Sequence, residues 1–142
     1  MLIILGFYQR RSDLTVSQFR SHWRDVHGPL IRRIADEHPL LLRYVQHHLT
    51  PDKDYPFHPG VEVGAQGGFD GFSEGWLADE QARDRFFSLP VMKTEVIEDE
   101  RKFIDVSATR WVALDSQHTI IEGAEGFLAD YTKAQAARVN LE

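Results

Sequence analysis

The chain reads as an α+β domain with the element order β-α-β-β-α-β and a C-terminal tail. Three observations predict it. Short runs of strand character recur at residues 2–8, 40–49, 69–77 and 104–114. Capped helical patterns separate the first strand from the second and the third from the fourth. The whole is 142 residues, 42% hydrophobic and 27% charged, which is the size and composition of one globular domain.

The first strand is the apolar segment Leu2-Ile3-Ile4-Leu5-Gly6-Phe7-Tyr8, followed by a turn at residues 11–14. Thr15 then caps a helix, and Gln18 three residues on completes a capping box. Val16, Phe19, Trp23, Val26, Leu30 and Ile34 form one apolar stripe at the helical period and are expected in the core. His27 falls about 80° from Phe19, at the edge of that stripe, and His22 occupies the other edge. A Gly28-Pro29 pair follows His27. Proline removes a backbone hydrogen bond and crowds the preceding turn, a cost often retained at functional sites. His27 is therefore the first candidate residue.

In the second strand, period two puts Leu41, Arg43, Val45, His47 and Leu49 on one face. Leu40, Leu42, Tyr44, Gln46 and His48 lie on the other, which turns from apolar to polar along its length, as a strand entering a pocket would. Residues 50–68, with three prolines and His58, read as a long loop of the lid or binding type. In the third strand Asp70, Phe72, Glu74 and Trp76 share one face. Gly71, Ser73 and Gly75 share the other, where their small size lets a helix pack closely. Asp79 caps a helix that Pro90 ends, a second helical piece covers residues 91–102, and the fourth strand follows. The tail holds one more helix around residues 127–139.

Composition narrows the function. A net charge of −6, a pI of about 5.6 and no basic run argue against nucleic acid. Cysteine is absent, which excludes disulfides, thiolate metal sites and cysteine nucleophiles. The apolar start is too short to span a bilayer, and Arg10 and Arg11 follow it, the reverse of a secretory signal. A cytoplasmic protein without membrane contact is expected. No metal is expected either: His47 and His48 point to opposite strand faces, and His22 and His27 stand about 140° apart on an ideal helix.

The element order is that of the ferredoxin-like arrangement, a four-stranded antiparallel sheet with helices on one face. Its second face, carrying Phe72 and Trp76, is too apolar to leave in water, so pairing of two sheets in a homodimer is expected.

Five stretches carry a family resemblance: Gln9-Arg10-Arg11-Ser12-Asp13-Leu14-Thr15; Phe19-Arg20 through Trp23 to Val26-His27-Gly28-Pro29-Leu30; Arg43-Tyr44-Val45-Gln46-His47-His48; Asp70-Gly71-Phe72 with Glu74; and Asp99-Glu100 with Phe103-Ile104-Asp105. Their collinear order over about residues 2–114 resembles the EthD-type family, a branch of the dimeric α+β barrels. The loop before Asp70 is longer than the family pattern requires and the tail is extra. The resemblance implies residues 1–115 as the family domain and 116–142 as an extension on that domain or on the partner subunit. It also implies a cofactor-free enzyme that moves protons on small cyclic compounds, as lactone isomerases and polyketide dehydratases or cyclases do. The alternative is a binding or accessory protein of an oxidative degradation pathway. Matched by motif, the catalytic positions are His27, Tyr44 and His48.

The chemistry suits those residues. Proton abstraction beside a carbonyl needs a base titrating near working pH, which imidazole supplies. Tyr44 or His48 would donate to the enolate oxygen, with Gln46 as a neutral orienting donor. Asp70 or Glu74 would fix the tautomer of His48 or bind a substrate hydroxyl, and Trp23, Phe72 and Trp76 would wall an aromatic or lactone ring.

Overall fold

A computed structural model describes residues 1–49 and 68–139. Among them run β1 (Leu2–Tyr8), α1 (Val16–His22), a π turn (Trp23–His27), α2 (Gly28–Glu37), β2 (Leu41–His48) and β3 (Gly71–Leu77). Then come α3 (Glu80–Ser88), α4 (Pro90–Lys93), α5 (Glu95–Phe103), β4 (Arg110–Ala113) and α6 (Phe127–Val139). The strands form one four-stranded antiparallel sheet, as the sequence leads one to expect, and their order is β2-β3-β1-β4. The expected lid at residues 50–68, with His58, lies outside the described residues except for Gly68.

The predicted capping box is present: Thr15 Oγ1 accepts from Gln18 N at 3.1 Å, and Thr15 N donates to Gln18 Oε1 at 2.8 Å. The helix then departs from the predicted wheel. Through Trp23–His27 the backbone widens into a π turn, closed by the N–H of Gly28 donating to the carbonyl of Trp23. Proline at 29 cannot complete a regular α turn, and a widened turn relieves the crowding of its ring. The extra residue in the turn rotates the rest of the helix. Val26, expected in the core, is 49% exposed, while His27, expected at the stripe edge, is 2% exposed. The inward stripe becomes Phe19, Trp23, His27, Ile31 and Ile34.

A second departure lies at the start of β2, where an irregularity in the pairing with β3 falls between Leu41 and Arg43. It moves Leu41 onto the face of Tyr44 and leaves Leu42 55% exposed. The helix-facing side of the sheet otherwise follows the predicted alternation. Gly71 meets Trp23 so closely that a Cβ there would lie 2.5 Å from the indole, so glycine is what lets the helix seat on β3. The fourth strand is shorter than predicted: Ile104 makes an isolated bridge to Arg10, and hydrogen bonds from Ala108 N and Thr109 N to the carbonyl of Asp105 close a turn before β4.

Two core clusters flank the middle of the helical layer. Tyr8, Phe19, Trp23, Phe103 and Ile104 form one, and Ile31, Ile34, Leu77, Phe86 and Val96 the other. The opposite sheet face carries Phe7, Phe72, Glu74 and Trp76 beside Arg43 and His47. Helix α6 matches its predicted span, and each of its described side chains is exposed.

Candidate active site

Between the two core clusters, the sheet and helices enclose a chamber of about 60 Å³. His27 and Glu100 reach it from the helical layer, and Tyr8, Tyr44, Ser73 and Trp111 from the sheet. Because the π turn carries His27 inward, its Nδ1 lies 2.8 Å from Oδ2 of the buried Asp99. His22 Nε2 stands 2.8 Å from the other oxygen of the same carboxylate. The widened turn thus brings together two histidines that an ideal wheel separates. Burial alone would push the Asp99 carboxyl up, but the two imidazoles outweigh it and hold it below the usual carboxylate value. A carboxylate at Nδ1 selects the tautomer with the proton on that nitrogen and leaves Nε2 with a lone pair.

Glu100 follows on the next position of α5. Burial, reinforced by the negative charge of Asp99, pushes its carboxyl from 4.5 up to about 7. The group therefore exchanges a proton near neutral pH, as a general acid or base must.

On the sheet side, Tyr8 OH lies 3.0 Å from Ser73 Oγ, and Trp23 Nε1 donates to Tyr44 OH at 3.3 Å. Burial raises Tyr8 to about 12 and Tyr44 well above the usual tyrosine value, so both phenols keep their protons at neutral pH and remain donors. Gly6 lets Tyr8, Ser73 and Trp111 gather at one point of the sheet. A Cβ at that position would sit 2.9 Å from each of Tyr8 OH, Ser73 Oγ and Trp111 Nε1. The three polar groups close over the bare Cα of Gly6, and all three line the chamber, where their donors can serve a substrate oxygen.

The structure brings only some of the sequence candidates together. His27 and Tyr44 line the chamber. Trp23 is fully buried beside it, holding Tyr44 and packing on Gly71. Gln46 Nε2 donates to the Trp23 carbonyl at 2.8 Å, and its Oε1 lies 3.1 Å from His48 Nε2. His48 also stacks on Trp23 with centroids 4.5 Å apart, so it braces the π turn from outside the chamber. Asp70 binds Arg10, accepting its backbone N–H at 2.8 Å and pairing with Nε at 3.3 Å. Phe72, Glu74 and Trp76 are on the opposite face of the sheet. There Glu74 meets His47 at 3.1 Å, not His48, and His47 stacks on Phe72 at 4.2 Å. Period two turns Glu74 away from His48, whose Nε2 faces Gln46 Oε1 instead.

Asp99, Glu100, Tyr8, Ser73 and Trp111 were absent from the sequence candidates. The signal for the two carboxylates was available: Val96, Asp99, Glu100 and Phe103 follow the helical period, which places both acids on the apolar stripe of α5. Among the described residues no group of three or more histidine, cysteine or acidic side chains is arranged to hold a metal ion.

The architecture is that of an α+β protein with a ferredoxin-like sheet and a cavity beneath its helices. A family model, the EthD domain, matches residues 11–107, and the chain belongs to that family. None of the curated protein sequences matches it. Its fold is similar to that of an EthD family protein from Bacillus halodurans. That similarity has a TM-score of 0.58 at 17% identity and covers 82% of this chain and 99% of the other. It is also similar to SnoaB, a cofactor-independent oxygenase from Streptomyces nogalater, with a TM-score of 0.54, 11% identity, and 85% and 97% of the two chains covered. A dimeric protein of ferredoxin-like fold from Bacteroides fragilis aligns with a TM-score of 0.55 at 7% identity, covering 81% and 95%.

Proposed function

We propose that the chain is a cofactor-free acid–base enzyme acting on a small oxygenated cyclic compound, by isomerisation, cyclisation or dehydration. The observation that carries this reading is His27, buried, held at Nδ1 by Asp99 and lining a chamber opposite a cluster of hydroxyl and indole donors. Nε2 of His27 removes a proton beside the substrate carbonyl. Tyr8, Ser73 and Trp111 hold the oxygen as charge develops on it, with Tyr44 adjoining. Glu100, whose carboxyl is pushed up to about 7, returns a proton at the second position. His48 and Gln46 are positioning residues that act through the π turn. Two copies pair through the sheet face that bears Phe72 and Trp76, giving a homodimer with one chamber per protomer.

The reading is tested with a panel of lactones and cyclic ketones in deuterated buffer, by measuring solvent deuterium at the carbon beside the carbonyl. Wild type is expected to accelerate exchange on at least one class, and His27→Ala to lose about 100-fold or more of that acceleration. Binding without acceleration, or acceleration unchanged in His27→Ala, would instead assign the chamber to a non-catalytic binding protein.

A further inference from the structure

We propose that the reacting chamber is one end of a longer site, and that the open cleft beside it selects substrates with an apolar ring body ending in an anionic group. The inference rests on the chamber being the place where His27 reacts. Size makes the first case. About 60 Å³ holds a carbonyl and its neighbours or a few waters, whereas sites for whole ring compounds span roughly 300–1,000 Å³. A cleft of about 480 Å³ adjoins the chamber between β4 and the helices α3, α4 and α5. The two share Ile4, Phe87, Met92, Val96, Glu100 and Trp111, so a ligand can lie across both with Glu100 and Trp111 at the junction.

Chemistry makes the second case. Phe87, Ile97, Trp111 and Val112 line this cleft with 36–45% of their surfaces exposed, a concentration of apolar side chains suited to a ring. Two cations interrupt this lining. Arg83 already pairs with Asp84 at 2.9 Å, but Lys93, at the end of α4, makes no ion pair among the described residues. In a chain of net charge −6, a lysine ammonium beside an apolar cleft matches a carboxylate or sulfonate on the ligand's outer end. The oxygen-bearing end faces Tyr8 and Ser73, the ring body lies against Phe87 and Trp111, and the anion meets Lys93.

Two fluorescent probes of nearly the same shape test this: anionic 8-anilinonaphthalene-1-sulfonate and neutral N-phenyl-1-naphthylamine, titrated against the full chain. Wild type is expected to bind the sulfonate more tightly. Lys93→Glu should weaken the sulfonate by roughly tenfold and leave the neutral probe within about twofold. Ala113→Trp, which fills the cleft from β4, should weaken both, with circular dichroism confirming the fold. Equal sulfonate affinity in Lys93→Glu and wild type, or unchanged affinity for both probes in a folded Ala113→Trp, overturns the proposal. Both readouts are of binding, so His27→Ala should retain the probe pattern. Failure of the proton-transfer assay would therefore count against the chemistry alone, and loss of Lys93 dependence against the cleft alone.

Discussion

Replacing Glu100 by glutamine separates the burial of this carboxyl from its charge. In the folded chain the carboxyl titrates at about 7 rather than 4.5, chiefly because burial disfavours the anion. Each unit of displacement is worth about 1.4 kcal/mol, so ionised Glu100 costs the folded state about 3 kcal/mol at high pH, or somewhat less after allowing for its partial exposure. The group is raised, so its stabilising contribution is complete below 4.5 and is lost as pH rises through about 7. Glutamine resembles the protonated acid and cannot ionise. Thermal unfolding monitored by circular dichroism should therefore show wild type losing stability between pH values of about 5 and 8, with the variant nearly flat. At about pH 8 the variant should melt higher by roughly 5–10 °C, and at about pH 4 the two should nearly coincide. The same substitution should slow turnover, because the second proton has no carrier. A variant that melts at or below the wild-type temperature at high pH would refute the assignment of Glu100 as a buried, proton-exchanging group.

Asp99→Asn should cost about 1–3 kcal/mol in urea denaturation, because one amide cannot accept from both His22 and His27. The Asp99 contribution in wild type, from a lowered carboxyl, is present above its usual value of 3.8 and disappears as pH falls below it. Gly6→Ala should place a methyl among Tyr8, Ser73 and Trp111 and abolish turnover while the chain stays folded, as seen by far-ultraviolet circular dichroism. Gly71→Ala should lower stability by about 1–3 kcal/mol, since its Cβ meets both the Trp23 indole and the His47 carbonyl. Thr15→Ala removes the capping box and should cost about 1 kcal/mol without altering the site.

The four-stranded antiparallel sheet, the capping box and the close packing of a helix on β3 were legible because each depends on local period and residue size. Gly71, Ser73 and Gly75 announced a closely packed face, and that is where the helix lies. The depth of His27 was not legible, since the wheel assumes uniform α geometry and the π turn rotates His27 inward and Val26 outward. Gly28-Pro29 marked the place of the irregularity but not its sense. Asp99 and Glu100 entered the sequence reading only as part of a family motif, and it is their spacing with Val96 and Phe103 that places them on the inward side of α5. Phe72 and Trp76 were assigned to a pocket wall by residue type, and Glu74 to His48 or a substrate hydroxyl. The parity of β3 already separates them in the sequence from the helix-packing face of Gly71, Ser73 and Gly75, and the register keeps them on the far side of the sheet.

The central claim is that Asp99 holds the proton of His27 on Nδ1 so that Nε2 serves the chamber as a base. Long-range proton–nitrogen correlation NMR on the histidine rings reads this directly at neutral pH. His27 is expected to show a protonated Nδ1 and an unprotonated Nε2, a state that weakens or reverses in Asp99→Asn. A proton on Nε2 with a bare Nδ1, or no response to Asp99→Asn, would contradict it.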